Sequence, residues 1–233
     1  MAMESMELKF DNFKKDPNIT MEHIWTNYFQ ENRISFKVKN ENIAVKKLIS
    51  IFNATLKLSN EIGFQAMTLR NLSTETKLSM GALYNYFPSK DELFKIIHIN
   101  GFYLLSDIIK KYIKENTPPE EKMRIVIRVH IYLTDILPKW FFFLYMEAKN
   151  LKREDRKISM DSELFTERIF VDIISDGIKS GIYAKKNINM TASMIKAMLQ
   201  DRYLKRWKYT NRKISADMYA EFVIEFIESF LKI

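Results

Sequence analysis

Cysteine is absent from the 233-residue chain, and glycine and proline are scarce, five of each. The first absence excludes disulfides and thiolate metal sites and fits a reducing compartment. The second leaves long segments without breakers, which favours helices over a turn-rich β architecture. The three histidines, His23, His98 and His130, stand apart in the sequence, and neither an HExxH motif nor a glycine-rich phosphate loop occurs. An enzyme is therefore not expected, nor a metal or cofactor. The longest apolar run, Trp140 to Met146, is far short of the ~20 residues that a membrane-spanning helix needs. The first residues, MAMESMELKFDNFKKDPN, lack the basic run and apolar core of a secretory signal. A cytoplasmic protein with no membrane partner is expected.

Apolar residues make up 47% of the chain, enough for a real core, and the formal net charge is +8. A basic balance suits an acidic polymer, but its meaning depends on where the charge lies. Asn42 to Glu92 carries six basic and four acidic residues. Lys196 to Lys213 carries seven basic residues against Asp201 alone. That stretch reads as a solvated helix face and a basic loop, or as a site for an acidic partner or an anionic ligand head group.

Apolar spacing and punctuation give an all-α chain. Met21, Ile24, Trp25, Tyr28 and Phe29 mark a short amphipathic helix starting at Thr20. Ile34, Phe36 and Val38 alternate with polar residues, as in an extended piece. A longer helix runs from Asn42 to about Ile62, and Gly63 stops it. Thr68 caps a helix to about Thr76, Lys77-Leu78 is a turn, and Ser79 caps the next helix. Phe87-Pro88 ends that helix. Ser89 to Glu92 and Thr117 to Glu120 read as capping boxes opening the following two helices. The second of these breaks at Pro138. A helix from Trp140 to Leu151, a charged KREDRK stretch, and helices near Ser162 to Gly181, Asn189 to Tyr209 and Ser215 to Lys232 complete the order.

The most specific stretch is Thr68 to Glu92, TLRNLSTETKLSMGALYNYFPSKDE. Two short helices joined by a tight turn form a helix-turn-helix, whose second helix presents side chains to base edges in the major groove. Ser79 stands at a helix start, where a hydroxyl and free N–H groups suit a phosphate. Gly81 and Ala82 leave room for the duplex, Tyr84 and Tyr86 offer hydroxyls, and Lys90 can reach the backbone. Asn85 suits a base edge, and Met80 or Ala82 a thymine methyl.

These residues resemble the DNA-binding head of the tetracycline-repressor (TetR) family. The resemblance rests on Gly63-Phe64, Met67-Thr68-Leu69, Leu72-Ser73, Leu78-Ser79, Gly81 to Phe87 and Ser89 to Leu93, and is specific over residues 42–95. It implies an all-helical homodimer with a three-helix head at 42–88 and a ligand-binding and dimerisation body at 89–233; the N-terminal extension at 1–41 is atypical of the family. It assigns DNA contacts to Thr68, Ser79, Met80, Gly81, Ala82, Tyr84, Asn85, Tyr86 and Lys90, with a palindromic operator as the partner. Lys77 stands where the family often has glycine, and Met80 where it often has a polar or basic residue.

The body is rich in aromatics, which points either to core or to a pocket for a small apolar effector. Phe102, Leu105, His130, Trp140, Phe143, Met146, Glu147, Phe170 and Ile174 are the pocket candidates. Tyr219, Phe222, Phe226 and Phe230 on the last helix form a wide apolar stripe that a second subunit would cover. The expected function is a ligand-responsive regulator, most simply a repressor. The alternative is a helical small-molecule carrier or enzyme with an apolar pocket. Arg33, Lys37 and Lys39 leave open an arm to DNA, and the Trp25/Phe29 face an arm to a second subunit, against an extension that only packs on the body.

Overall fold

The computed structural model describes residues 8–148 and 153–233. The described residues hold twelve α-helices and no named strand. In order these are α1 (Phe10–Phe13), α2 (Met21–Glu31), α3 (Glu41–Ile62), α4 (Leu69–Thr76), α5 (Met80–Leu83), α6 (Lys90–Tyr112), α7 (Pro119–Ile136), α8 (Pro138–Ala148), α9 (Arg153–Lys179), α10 (Ile188–Leu204), α11 (Arg206–Asn211) and α12 (Ala216–Leu231). They fall into two compact units that do not follow chain order. A head unit comprises residues 17–104, 139–148 and 153–160, and a body unit comprises residues 8–16, 105–138 and 161–233.

The head unit is built on α3. Asn40 caps its start by accepting from the Ile43 N–H, and Gly63 closes it at φ 80°, a left-handed angle that glycine adopts without penalty. Its buried face, Ala44, Val45, Leu48, Ile51, Phe52 and Leu56, recurs at helical spacing. Thr20 caps α2 by accepting from the His23 N–H, and α2 packs along α3. Trp25 meets Phe52 at 5.3 Å and stacks on Trp140 at 6.5 Å. The indole N–H of Trp140 donates to the Ile97 carbonyl at 3.1 Å. Phe64, Phe94 and Phe143 form a second aromatic cluster with centroids 5.5 to 5.6 Å apart.

The body unit is centred on α7. Val126 to Thr134 are all buried, as expected of a helix surrounded by others. α12 and α10 pack against it. Charged pairs tie these helices at their margins: Arg124 to Glu228 at 2.6 Å, Arg128 to Glu221 at 2.8 Å, and Arg202 to Asp135 at 3.1 Å. Residues 8–16 are clamped on the same unit. Phe13 is fully buried between Tyr112 and Tyr132, and both carboxylate oxygens of Asp16 lie 2.7 Å from Lys111 Nζ. Gly177 lets α9 close on the next segment, since a Cβ there would fall 2.1 Å from the Tyr183 ring.

Several expectations are corrected. The alternation at Ile34, Phe36 and Val38 forms no extended piece: Arg33–Ser35 is a 3-10 turn, Ile34 is fully exposed and Phe36 alone is buried. Thr117 opens no capping box, because the helix begins one step later, behind Pro118, and Thr117 Oγ1 instead accepts from the Lys114 N–H. Most of the charged KREDRK run is the first turn of α9, which starts well before Ser162. The expected helix after Asn189 ends at Leu204, and α11 is separate. Leu151, the expected end of the preceding helix, lies outside the described residues.

Candidate nucleic-acid interface

Thr68 starts the motif. Its hydroxyl accepts from the Asn71 N–H at 3.1 Å, and Asn71 Oδ1 accepts from the Thr68 N–H at 2.9 Å, a reciprocal cap. α4 then runs over the fully buried Leu72 and ends at Lys77, whose φ of 57° puts a non-glycine residue in the left-handed region. Ser73 Oγ donates to the Leu78 carbonyl across the turn. Ser79 Oγ accepts from the Ala82 N–H at 3.2 Å and so opens α5, leaving its own O–H free to donate outward. Leu83 and Phe87 anchor this helix and the turn after it in the core.

The motif thus brings together most of the residues singled out in the sequence. Thr68, Ser79, Gly81 and Tyr84 are exposed, while Met80, Ala82 and Asn85 are half-buried. Tyr86 is instead buried, its ring 6.1 Å from Phe36 and its hydroxyl without a hydrogen-bond partner among the described residues. Burial pushes that phenol up from its ordinary range. Lys90 is also placed differently. Its ammonium donates to the carbonyls of Phe64 at 3.1 Å, Gln65 at 2.8 Å and Met67 at 3.1 Å. An ammonium has three protons, and all three are satisfied inside the head.

The pocket candidates divide between the units. Phe102, Trp140, Phe143, Met146 and Glu147 are in the head unit; Leu105, His130, Phe170 and Ile174 are in the body unit. Trp140 and Phe143 are core, and Glu147 accepts from Ser59 Oγ at 3.0 Å and from the Phe64 N–H at 3.3 Å. Of the apolar stripe on α12, Phe222, Phe226 and Phe230 are exposed. Tyr219 lies inside, donating to the Met198 carbonyl at 2.7 Å, so it belongs to the fold of one subunit.

The basic stretch from Lys196 to Lys213 is only partly a solvated face. Lys196 and Arg202 are buried. Lys196 Nζ donates to Thr166 Oγ1 at 2.7 Å and lies 3.4 Å from Glu163 Oε2. Burial lowers its pKa, and the Glu163 charge opposes that shift. The same ammonium acts with burial to push His130 well below the ordinary histidine range. Burial raises the Asp201 carboxyl, yet hydrogen bonds from Lys205, Lys208 and Tyr209 hold it well below the usual carboxylate range. Lys196 had a signal in the sequence: it shares the buried stripe of Ala192, Ile195 and Leu199.

The family model described as bacterial regulatory proteins, tetR family, matches residues 51–97, and that described as tetracyclin repressor-like, C-terminal domain, matches residues 116–228. The chain belongs to the TetR family. The HTH-type transcriptional regulator HbdR of Aromatoleum sp. (strain CIB) is 23% identical over 194 residues, covering 83% of this chain and 85% of that protein. A TetR-family regulatory protein from Rhodococcus RHA1 has the same fold, with a TM-score of 0.72, 19% identity, and coverage of 80% of this chain and 97% of that one. AibR, solved with isovaleryl coenzyme A and operator DNA, aligns at a TM-score of 0.67 and 16% identity over 77% of this chain and 97% of its own. The protein is a DNA-binding transcriptional regulator of this family. Among the described residues no helix is long and apolar enough to cross a membrane.

Proposed function

We propose that this TetR-family chain is a cytoplasmic repressor without enzymatic activity, which binds a palindromic operator as a homodimer and leaves it when a small apolar effector bearing an acidic group binds the body. The observation that carries the DNA half is the pair of capped helices around the left-handed Lys77 turn, with Ser79, Gly81 and Tyr84 exposed beside half-buried Asn85. Ser79 and Tyr84 hold phosphates, and Met80, Ala82 and Asn85 face base edges, while Thr68, whose hydroxyl and N–H both donate to Asn71 Oδ1, fixes the start of α4. Gly81 permits close approach. Support for the effector half comes from the buried Lys196, whose charge acts on the buried His130 and whose ammonium is held by Thr166 and Glu163, a carboxylate that an acidic effector would replace. A buried ammonium offers an acid or thioester effector a charged anchor at low local dielectric. The isovaleryl coenzyme A on AibR is an acyl compound of that general kind.

The test is selection of bound duplexes from a random pool, followed by titration of the selected duplex with fatty acids and short acyl-coenzyme A thioesters. A palindrome released by one of these compounds, and no longer released from Lys196→Met, is the expected result. Failure to enrich any sequence would remove the DNA half; release that persists in Lys196→Met would remove the anchor.

A further inference from the structure

The DNA head as defined by its motif is almost neutral, with six basic residues against four acidic ones between Asn42 and Glu92. Lys90 is turned inward among those six, and Lys57 is paired with Glu75 at 2.9 Å. Duplex DNA is held largely by cations that displace its counterions, so a neutral head leaves part of that attraction unassigned. The segment immediately before α3 carries the missing charge. From Arg33 to Lys39 it has three cations and no acid. Arg33, Lys37 and Lys39 are all exposed, and none of them takes part in an ion pair of the described residues.

The segment is also fixed beside the reading helix. Asn32 Nδ2 donates to the Tyr28 carbonyl at 2.9 Å where the segment begins, and Asn40 caps α3 where it ends. Between them Phe36 is buried, with its ring 5.1 Å from Phe29, 5.8 Å from Tyr28 and 6.1 Å from Tyr86. Tyr86 follows α5 by three residues and donates its N–H to the Leu83 carbonyl. A solvated loop with no function has no need of an aromatic pin, whereas a cationic strap held against the reading helix is ordered before it binds.

We propose that residues 33–39 are a second DNA-contacting element, in which Arg33, Lys37 and Lys39 neutralise backbone phosphates beside the groove entered by α5. Phe36, through Tyr86, sets the position of these cations relative to α5. The element reads no bases and adds affinity for all sequences alike. This inference rests on the reading of the chain as an operator-binding regulator.

The experiment uses the full-length protein and a labelled duplex that it has itself selected from a random pool, with affinity measured by anisotropy at several KCl concentrations. The triple variant Arg33→Ala/Lys37→Ala/Lys39→Ala is compared with Lys179→Ala/Lys185→Ala/Arg212→Ala, which removes the same charge from exposed positions of the body unit. The strap variant should lose at least about tenfold in affinity at moderate salt, and its salt slope should fall by roughly 0.9 for each phosphate contact removed, up to about five per dimer. The body variant should change far less. Phe36→Ala should lose affinity while keeping all three cations. Equal losses in the two triple variants would mean that only net charge matters, and an unchanged slope in the strap variant would mean no phosphate contact; either overturns the proposal. If the wild-type protein selects no duplex, it is the operator-binding reading that fails.

Discussion

Lys90, at the first turn of α6, places its ammonium 3.1 Å from the carbonyl of Met67, the residue that precedes the cap of α4. With Phe64 and Gln65 completing its three acceptors, Lys90 ties the start of α6 to the loop between α3 and α4. Its effect on DNA binding is then indirect. Lys90→Ala should destabilise the protein by about 1–2 kcal/mol, because carbonyls held by a charged donor lose it. Operator affinity should fall with no change in salt slope. Lys90→Arg keeps the charge but cannot converge three protons on these carbonyls, so it should behave like alanine rather than rescue. A slope that drops by about one per subunit would show a phosphate contact instead.

The turn between α4 and α5 carries strain that can be relieved. Lys77 is exposed at φ 57°, and its backbone N–H bonds the Thr74 carbonyl. A left-handed L-residue costs roughly 1–2 kcal/mol, part of which glycine gives back through its larger unfolded-state entropy. Lys77→Gly should therefore stabilise by about 0.5–1 kcal/mol, seen as a higher denaturant midpoint with an unchanged m-value. Lys77→Val should lower that midpoint.

What was legible in the sequence was local. Thr20, Thr68 and Ser79 act within three residues of themselves, and each caps the helix that its position announces. The left-handed turn at Lys77 follows from the same short-range geometry. Illegible were the residues whose role depends on distant chain. Lys90 resembles a phosphate ligand until Phe64, Gln65 and Met67 are placed around it. Tyr86 and Tyr219 share stripes with exposed neighbours, yet tertiary packing turns both inward. Thr117 shows the limit of capping patterns, since prolines next to it move the helix start.

His98 gives a pH dependence. It lies buried on α6, stacked on Phe94 at 5.6 Å, and burial pushes its pKa from 6.5 down to about 4. Between these values the unfolded chain binds a proton that the folded chain refuses. Stability is full above pH 6.5 and falls as the pH drops toward 4, by up to about 3 kcal/mol in total. His98→Phe should remove this contribution. Chemical denaturation from pH 7 to pH 4 should show a shallower decline for the variant; parallel declines would assign the acid sensitivity to other groups.

Phe222, Phe226 and Phe230 recur every fourth residue on the outer face of α12, and each is about half exposed or more. Their inward-facing neighbours Val223 and Ile227 are buried, so the two faces can be tested separately. Phe226→Asp should leave the subunit folded, with helicity unchanged, but shift it from dimer to monomer in sedimentation. Operator affinity should fall steeply, because two linked heads gain from effective concentration. A dimer that survives the substitution would place the interface on another surface.

Tyr84 and Asn85 are adjacent on the helix-turn-helix but should fail in different ways. Tyr84 is exposed, and its hydroxyl is free to meet a phosphate; Asn85 is half-buried, with an amide suited to adenine. Tyr84→Phe removes only the hydroxyl, and should weaken binding to every duplex by about 1 kcal/mol while ranking them as before. Asn85→Ala should cost about 1–3 kcal/mol on the preferred sequence and less on a single-base variant, so that discrimination at one position collapses. Repeating the random-pool selection with each variant distinguishes the two. An Asn85→Ala protein that enriches the wild-type consensus unchanged would leave base reading to Met80 and Ala82, and to the shape of the duplex.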